Sequence, residues 1–157
     1  MNRVLYICFA LFALFSLART EAQTIALKER APRIKKAVWL NGVQPPKSEF
    51  TFIEFVHSAS IPCRQSAERI CKLVESCPNT TFIMVTHQGA DEIEEWMAKS
   101  ITPRIGVVVD DVRIRASFGV NYAPYAVILD HKRRPLWFGN PQRLEQQIVD
   151  KLIAGDN

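Results

Sequence analysis

Apolar positions fall into short runs whose period changes along the chain. Phe50 to Val56 is a nearly unbroken aromatic and β-branched run, the composition of a strand buried on both faces of a parallel sheet. After Pro62, apolar Ala67, Ile70, Cys71, Val74 and Cys77 recur at helical spacing until Pro78 and Asn79, which predicts one helix with one face inward. Thr81 to Thr86 reads as a second buried strand. Asp91 to Lys99 reads as an amphipathic helix, with Ile93, Trp96 and Met97 opposite Asp91, Glu92, Glu94 and Glu95. Ile105 to Val109 is a third strand, leading to a short Asp-started segment that carries Ile114 and Phe118 and stops at Gly119.

Beyond Gly119 the pattern switches. Tyr125 to Leu129 and Pro135 to Phe138 are strands separated by Asp130 to Arg134, the composition of a hairpin turn. Asn140 and Pro141 open a closing helix with Leu144, Ile148, Val149, Leu152 and Ile153 on one face. Ahead of the first strand, Pro32, Gly42, Pro45 and Pro46 surround Val38, Trp39 and Leu40, which predicts a short lead-in strand and loop. A β-α-β unit followed by a hairpin and a helix defines an α/β domain.

The first residues have a different character. Arg3 precedes an apolar stretch of fourteen residues from Val4 to Leu17, whereas about 20 are needed to cross a bilayer. Thr20 and Ala22 suit a cleavage site before Gln23, with Ala18 as the other candidate. The expected division is therefore a signal peptide over residues 1–22, an N-terminal extension with the lead-in strand over 23–48, and one domain over 49–154. That implies export to a periplasmic or extracellular setting with no stable membrane span after processing. The composition of the whole chain, 48% hydrophobic and 23% charged, suits a packed core.

The net charge of +4 falls to +3 without Arg3, Arg19 and Glu21. A balance this mild argues against a nucleic-acid partner. The longest basic tract beyond the signal, Lys132 to Arg134, reads as a solvated turn. Of four cysteines, Cys8 lies in the apolar leader and Cys63, Cys71 and Cys77 remain, an odd number in a compartment that oxidises thiols.

Two stretches carry a resemblance. Phe55 to Arg64 reads Phe-Val-His-Ser-Ala-Ser-Ile-Pro-Cys-Arg and resembles the exported TlpA- and ResA-like thioredoxin motif Phe-Trp-Ala-x-Trp-Cys-x-Pro-Cys-Arg. Gly119 to Asp130 reads Gly-Val-Asn-Tyr-Ala-Pro-Tyr-Ala-Val-Ile-Leu-Asp and is similar to the stretch around that family's cis-proline. The resemblance runs from about Ala31 to Ile153. It implies a thioredoxin-like fold, a central mixed β-sheet flanked by helices behind an N-terminal extension. It also implies a thiol-disulfide site at Ser60-Ile61-Pro62-Cys63, and a binding edge at Pro124 with Ala123 and Tyr122. The departure is Ser60, standing where the family has its first cysteine, with Ala59 in place of tryptophan.

Dithiol exchange needs two thiols in one site, and the Ser60 hydroxyl cannot supply the attacking one. Cys71 lies eight residues along the helix, about 12 Å away, beyond the roughly 7 Å that a disulfide spans. Cys71 and Cys77 read as small core residues. Cys63 is either an inert buried thiol or a thiolate favoured by the helix start. The first leaves a non-catalytic module that binds a polypeptide partner at the Pro124 edge, by strand addition that needs no thiol. The second gives one-thiol chemistry that depends on an external thiol reductant. Peroxiredoxins also carry Ser or Thr three residues before a single reactive cysteine, which opens peroxide reduction as an alternative, with Arg104, Arg113 and Arg115 as candidate partners of the thiolate. His57, alone at a strand exit, reads as a polar loop residue. Cys71, Cys77 and His87 lack a tight ligand pair, so no metal or other cofactor is expected.

Overall fold

The run from Phe50 forms the strand on which the fold is built. In the computed structural model, which describes residues 30–42, 44–97, 104–110 and 112–155, a six-stranded sheet contains β1 (Val38–Trp39), β2 (Phe50–Phe55), β3 (Thr80–Thr86), β4 (Ile105–Val109), β5 (Tyr125–Leu129) and β6 (Pro135–Gly139). The spatial order is β1-β4-β3-β2-β5-β6. β2, β3 and β4 run parallel; β1, β5 and β6 join antiparallel. The expected mixed sheet is therefore present. Among the described residues four α-helices accompany the sheet: α1 (Ile61–Ser76), α2 (Ala90–Met97), α3 (Arg113–Ser117) and α4 (Gln146–Ala154).

Side chains alternate across a strand, so each central strand feeds two cores. On one face Phe50, Phe52, Phe82 and Met84 pack with Ala67, Ile70 and Val74 of α1 and with Val149 and Leu152 of α4. Phe52 and Phe82 are paired in register and stack at 5.5 Å. On the other face Ile53, Phe55, Val85 and Val127 pack with Ile114 and Phe118 around α3 and with Ala31 of the N-terminal extension.

Several details differ from the sequence expectation. The closing helix does not start at Asn140: the Asn140 side chain caps a single 3-10 turn, Pro141–Arg143, and Leu144 is extended before α4 begins. That break re-phases the face, so Val149 and Leu152 are buried while Ile153 is exposed. Cys77 lies just past the end of α1, fully buried, and Cys71 is half-buried; with Cys63 they are three free thiols. The amides that open α3 are capped from a distance, Ile114 N and Arg115 N donating to Asp110 Oδ2 at 2.7 and 3.1 Å.

The basic tract is not simply solvated. Arg133 takes a left-handed conformation in the β5–β6 turn, its Nη1 donates to Ala31 O at 2.8 Å, and Ala31 N donates back to Arg133 O at 2.8 Å. Arg134 pairs with Asp130 at 2.6 Å. Residues 1–22, Lys99, and residues 23–29 of the extension lie outside the described residues. Among the described residues no helix is long and apolar enough to cross a membrane.

Candidate functional site

The carboxyl ends of β2 and β3 meet the start of α1 at one end of the sheet. β2 stops at Phe55, and a short turn through Ser58 and Ala59 reaches Ser60. Ser60 adopts extended backbone and its Oγ accepts from Cys63 N at 3.4 Å. This is an N-cap, satisfying one of the amides that a helix start leaves open. Pro62 suits the first turn, where its missing N–H costs nothing. Ser60 thus has a structural role whether or not chemistry occurs beside it.

Cys63 is fully buried, at 0% exposure, among the residues that pack under α1. Burial pushes its thiol up from the usual range, and the charge of Glu54 adds to that. The Ser60 hydroxyl, the His57 backbone and the more distant Arg115 oppose the rise without cancelling it. Of the three arginines considered from sequence, only Arg115 acts on Cys63. Arg104 donates to the Val74 and Cys77 carbonyls at the far end of α1, and Arg113 lines a separate cleft of about 160 Å³.

The register Phe55↔Tyr125 sets Pro124 beside the exit of β2. The Ala123–Pro124 peptide is cis and Pro124 is buried. Tyr122 is 48% exposed and meets buried Tyr125 edge-on at 5.2 Å. Ile61, 61% exposed, stands at the start of α1 at this same end of the sheet. The fold therefore brings all seven expected residues, Ser60 to Cys63 and Tyr122 to Pro124, to one end of the sheet, with apolar side chains outward and the thiol inward.

Further residues shape the site. Glu54 sits in the centre of β2 at 0% exposure; burial raises its carboxyl to about 8, and Ser66 of α1 counters this only in part. Neither carboxyl oxygen, nor Ser66 Oγ, is held in a hydrogen bond of ordinary geometry. A lone acid inside an otherwise apolar strand run was the signal available in the sequence. Gln88, just past β3, accepts from Ser58 N at 2.6 Å, and its Nε2 donates to Ser58 Oγ at 2.5 Å and to Glu92 of α2. Ser58 Oγ also donates to Glu92 Oε1 at 2.9 Å, so the turn before Ser60 is tied to α2. His57 pairs with His87, ring centroids 5.1 Å apart. Burial and the neighbouring His57 depress the His87 pKa, and Arg115 depresses it further, with Glu92 opposing.

No family model matches the chain, and no curated protein matches it. Solved structures do. A thioredoxin-like protein in its oxidised form aligns with a TM-score of 0.66 at 18% identity, covering 83% of this chain and 98% of that one. A secreted Mycobacterium tuberculosis disulfide oxidoreductase homologous to E. coli DsbE aligns at 0.60 and 17%, covering 75% and 92%. StoA from Bacillus subtilis aligns at 0.56 and 17%, covering 68% and 84%. At these identities the likeness is one of fold. The chain has a thioredoxin-like fold.

Proposed function

We propose that this chain is an exported, TlpA-like member of the thiol-disulfide redox family whose thiol chemistry is attenuated and whose surviving activity is to bind an extended polypeptide along the Pro124 edge. The observation that carries the reading is the opposed orientation at one mouth: Cys63 is fully buried with its thiol form favoured, while Ile61 and Tyr122 remain exposed. Residues 1–22 as a signal peptide and 49–154 as the working domain belong to the same proposal. A partner strand would be held by backbone groups at Ala123 and by apolar contact with Tyr122, neither of which needs a thiolate.

A second reading is favoured by one observation, the Ser60 hydroxyl and the His57 backbone, which both act on Cys63 in favour of its thiolate. Cys63 would lose its proton as its sulfur attacks a partner disulfide, forming one S–S bond as the partner's breaks; the released partner sulfur takes up a proton. Without a cysteine at position 60, an external thiol must then cleave the mixed disulfide. Burial that disfavours the thiolate makes this slow, and it leaves the peroxide reading with less support than either.

The test is alkylation of the reduced protein across pH, the modified cysteine located by mass spectrometry. Half-buried Cys71 is expected to react before Cys63 and Cys77, with the Cys63 midpoint raised above that of an ordinary free thiol. Ser60→Cys is expected to gain disulfide-reducing activity that the parent lacks. Rapid Cys63 labelling with a midpoint well below about 8.5 would overturn the attenuated reading and favour one-thiol chemistry.

A further inference from the structure

On the face of the sheet opposite α1, and at the end away from Cys63, the N-terminal extension leaves a cleft of about 440 Å³. Small-molecule sites span roughly 300–1,000 Å³, so the space is of that class. Its floor carries three apolar side chains, Ile53, Ile83 and Leu129, one from each of β2, β3 and β5, with Thr51 and Thr81 beside them on the same face. Its wall is Trp39 with Pro45. Both rest on Gly106 of β4, where any Cβ would overlap the proline ring and the indole. Thr81 Oγ1 donates to Pro46 O at 2.6 Å and holds that strap over the sheet.

The rim carries cations. Arg33 and Lys47, both exposed, border the cleft together with His131 and Arg133. The acid in the lining, Asp130, is already engaged: its oxygens accept from Arg134 N at 2.7 Å and Arg134 Nε at 2.6 Å. Arg33 and Lys47 have no ion-pair partner among the described residues. Apolar side chains in the floor beneath uncompensated cations are complementary to a molecule with an apolar body and one negative end.

We propose that this cleft binds a small amphipathic carboxylate, its hydrocarbon body on Ile53, Ile83 and Leu129 and its carboxylate at Arg33 and Lys47. The proposal is independent of the thiol site, which lies on the other face and at the other end of the sheet. Calorimetric titration of the full chain with decanoate, below its micellar range, tests it against decanol, the same body without the charge. One decanoate per chain is expected, with decanol binding about tenfold more weakly, as loss of a charge-assisted contact implies.

Arg33→Glu combined with Lys47→Glu is expected to weaken decanoate about tenfold or more and to leave decanol unchanged. Cys63→Ala should leave both affinities as they were. Lys47→Ala, a change at one exposed side chain, repeats the test should the double variant melt early. Equal affinity for acid and alcohol, insensitivity to both rim variants, or absence of saturable decanoate binding would each overturn the proposal.

Discussion

Replacing Glu54 by Gln isolates the energetic consequence of an acid with no partner in the sheet. Its carboxyl is raised from 4.5 to about 8, burial being the main cause. In the unfolded chain the group ionises near 4.5; in the folded protein it stays protonated until about 8. Between those values the folded state binds more protons than the unfolded one, so stability falls as pH rises, and the loss is complete above about 8. At about 1.4 kcal/mol per unit, the shift corresponds to about 5 kcal/mol across the window. Glutamine has nearly the same shape and no titration. Its amide is buried in the same unpartnered place, so near pH 4.5 the variant should match the parent to within about 1–2 kcal/mol. At pH 9 it should be the more stable protein by about 5 kcal/mol. Urea unfolding at intervals from pH 4.5 to 9, under reducing conditions, gives both curves, and their difference removes every other titrating group. A difference with no slope between pH 4.5 and 8 would show that Glu54 is not desolvated as described, and would also remove its influence on Cys63.

Two other substitutions probe the scaffold. Gly106→Ala places a methyl group against Pro45 and Trp39 and is expected to cost about 1–3 kcal/mol as overpacking, read as a lower urea midpoint with an unchanged slope. Ser60→Ala removes the hydroxyl that accepts from Cys63 N and is expected to cost about 1 kcal/mol, read as a lower melting temperature with alkylation of Cys63 still slow.

The strands and their order along the chain were legible because buried strands announce themselves as apolar runs: Ile105 to Val109 and Tyr125 to Leu129 coincide with the strands observed. The closing helix was legible only in part. Asn140-Pro141 is a genuine helix start, but it opens a single 3-10 turn, and nothing local distinguishes that turn from the first turn of α4. The gathering of Ser60 and Pro124 at one end was legible through motif resemblance. The protonation balance was not, because whether Cys63 meets solvent depends on how α1 lies on Phe52 and its neighbours, a tertiary fact with no local signature. Glu54 was visible as an oddity in an apolar run, yet its weight came only with the sheet that buries it. Gln88 and Glu92 carried no signal, since their bonds to Ser58 span 30 and 34 residues.

The clasp between Ala31 and Arg133 has a directional consequence. It holds Ala31 at the β5–β6 turn, beyond Leu129, and Leu129 pairs with Thr51 at the start of β2, whereas Cys63 follows that strand's finish. Ala31 therefore sits at the pole opposite Ser60, Cys63 and Pro124. A substitution that opens the clasp, such as Arg133→Ala, would therefore loosen the extension from one pole while leaving the cis Ala123–Pro124 peptide at the other as it is.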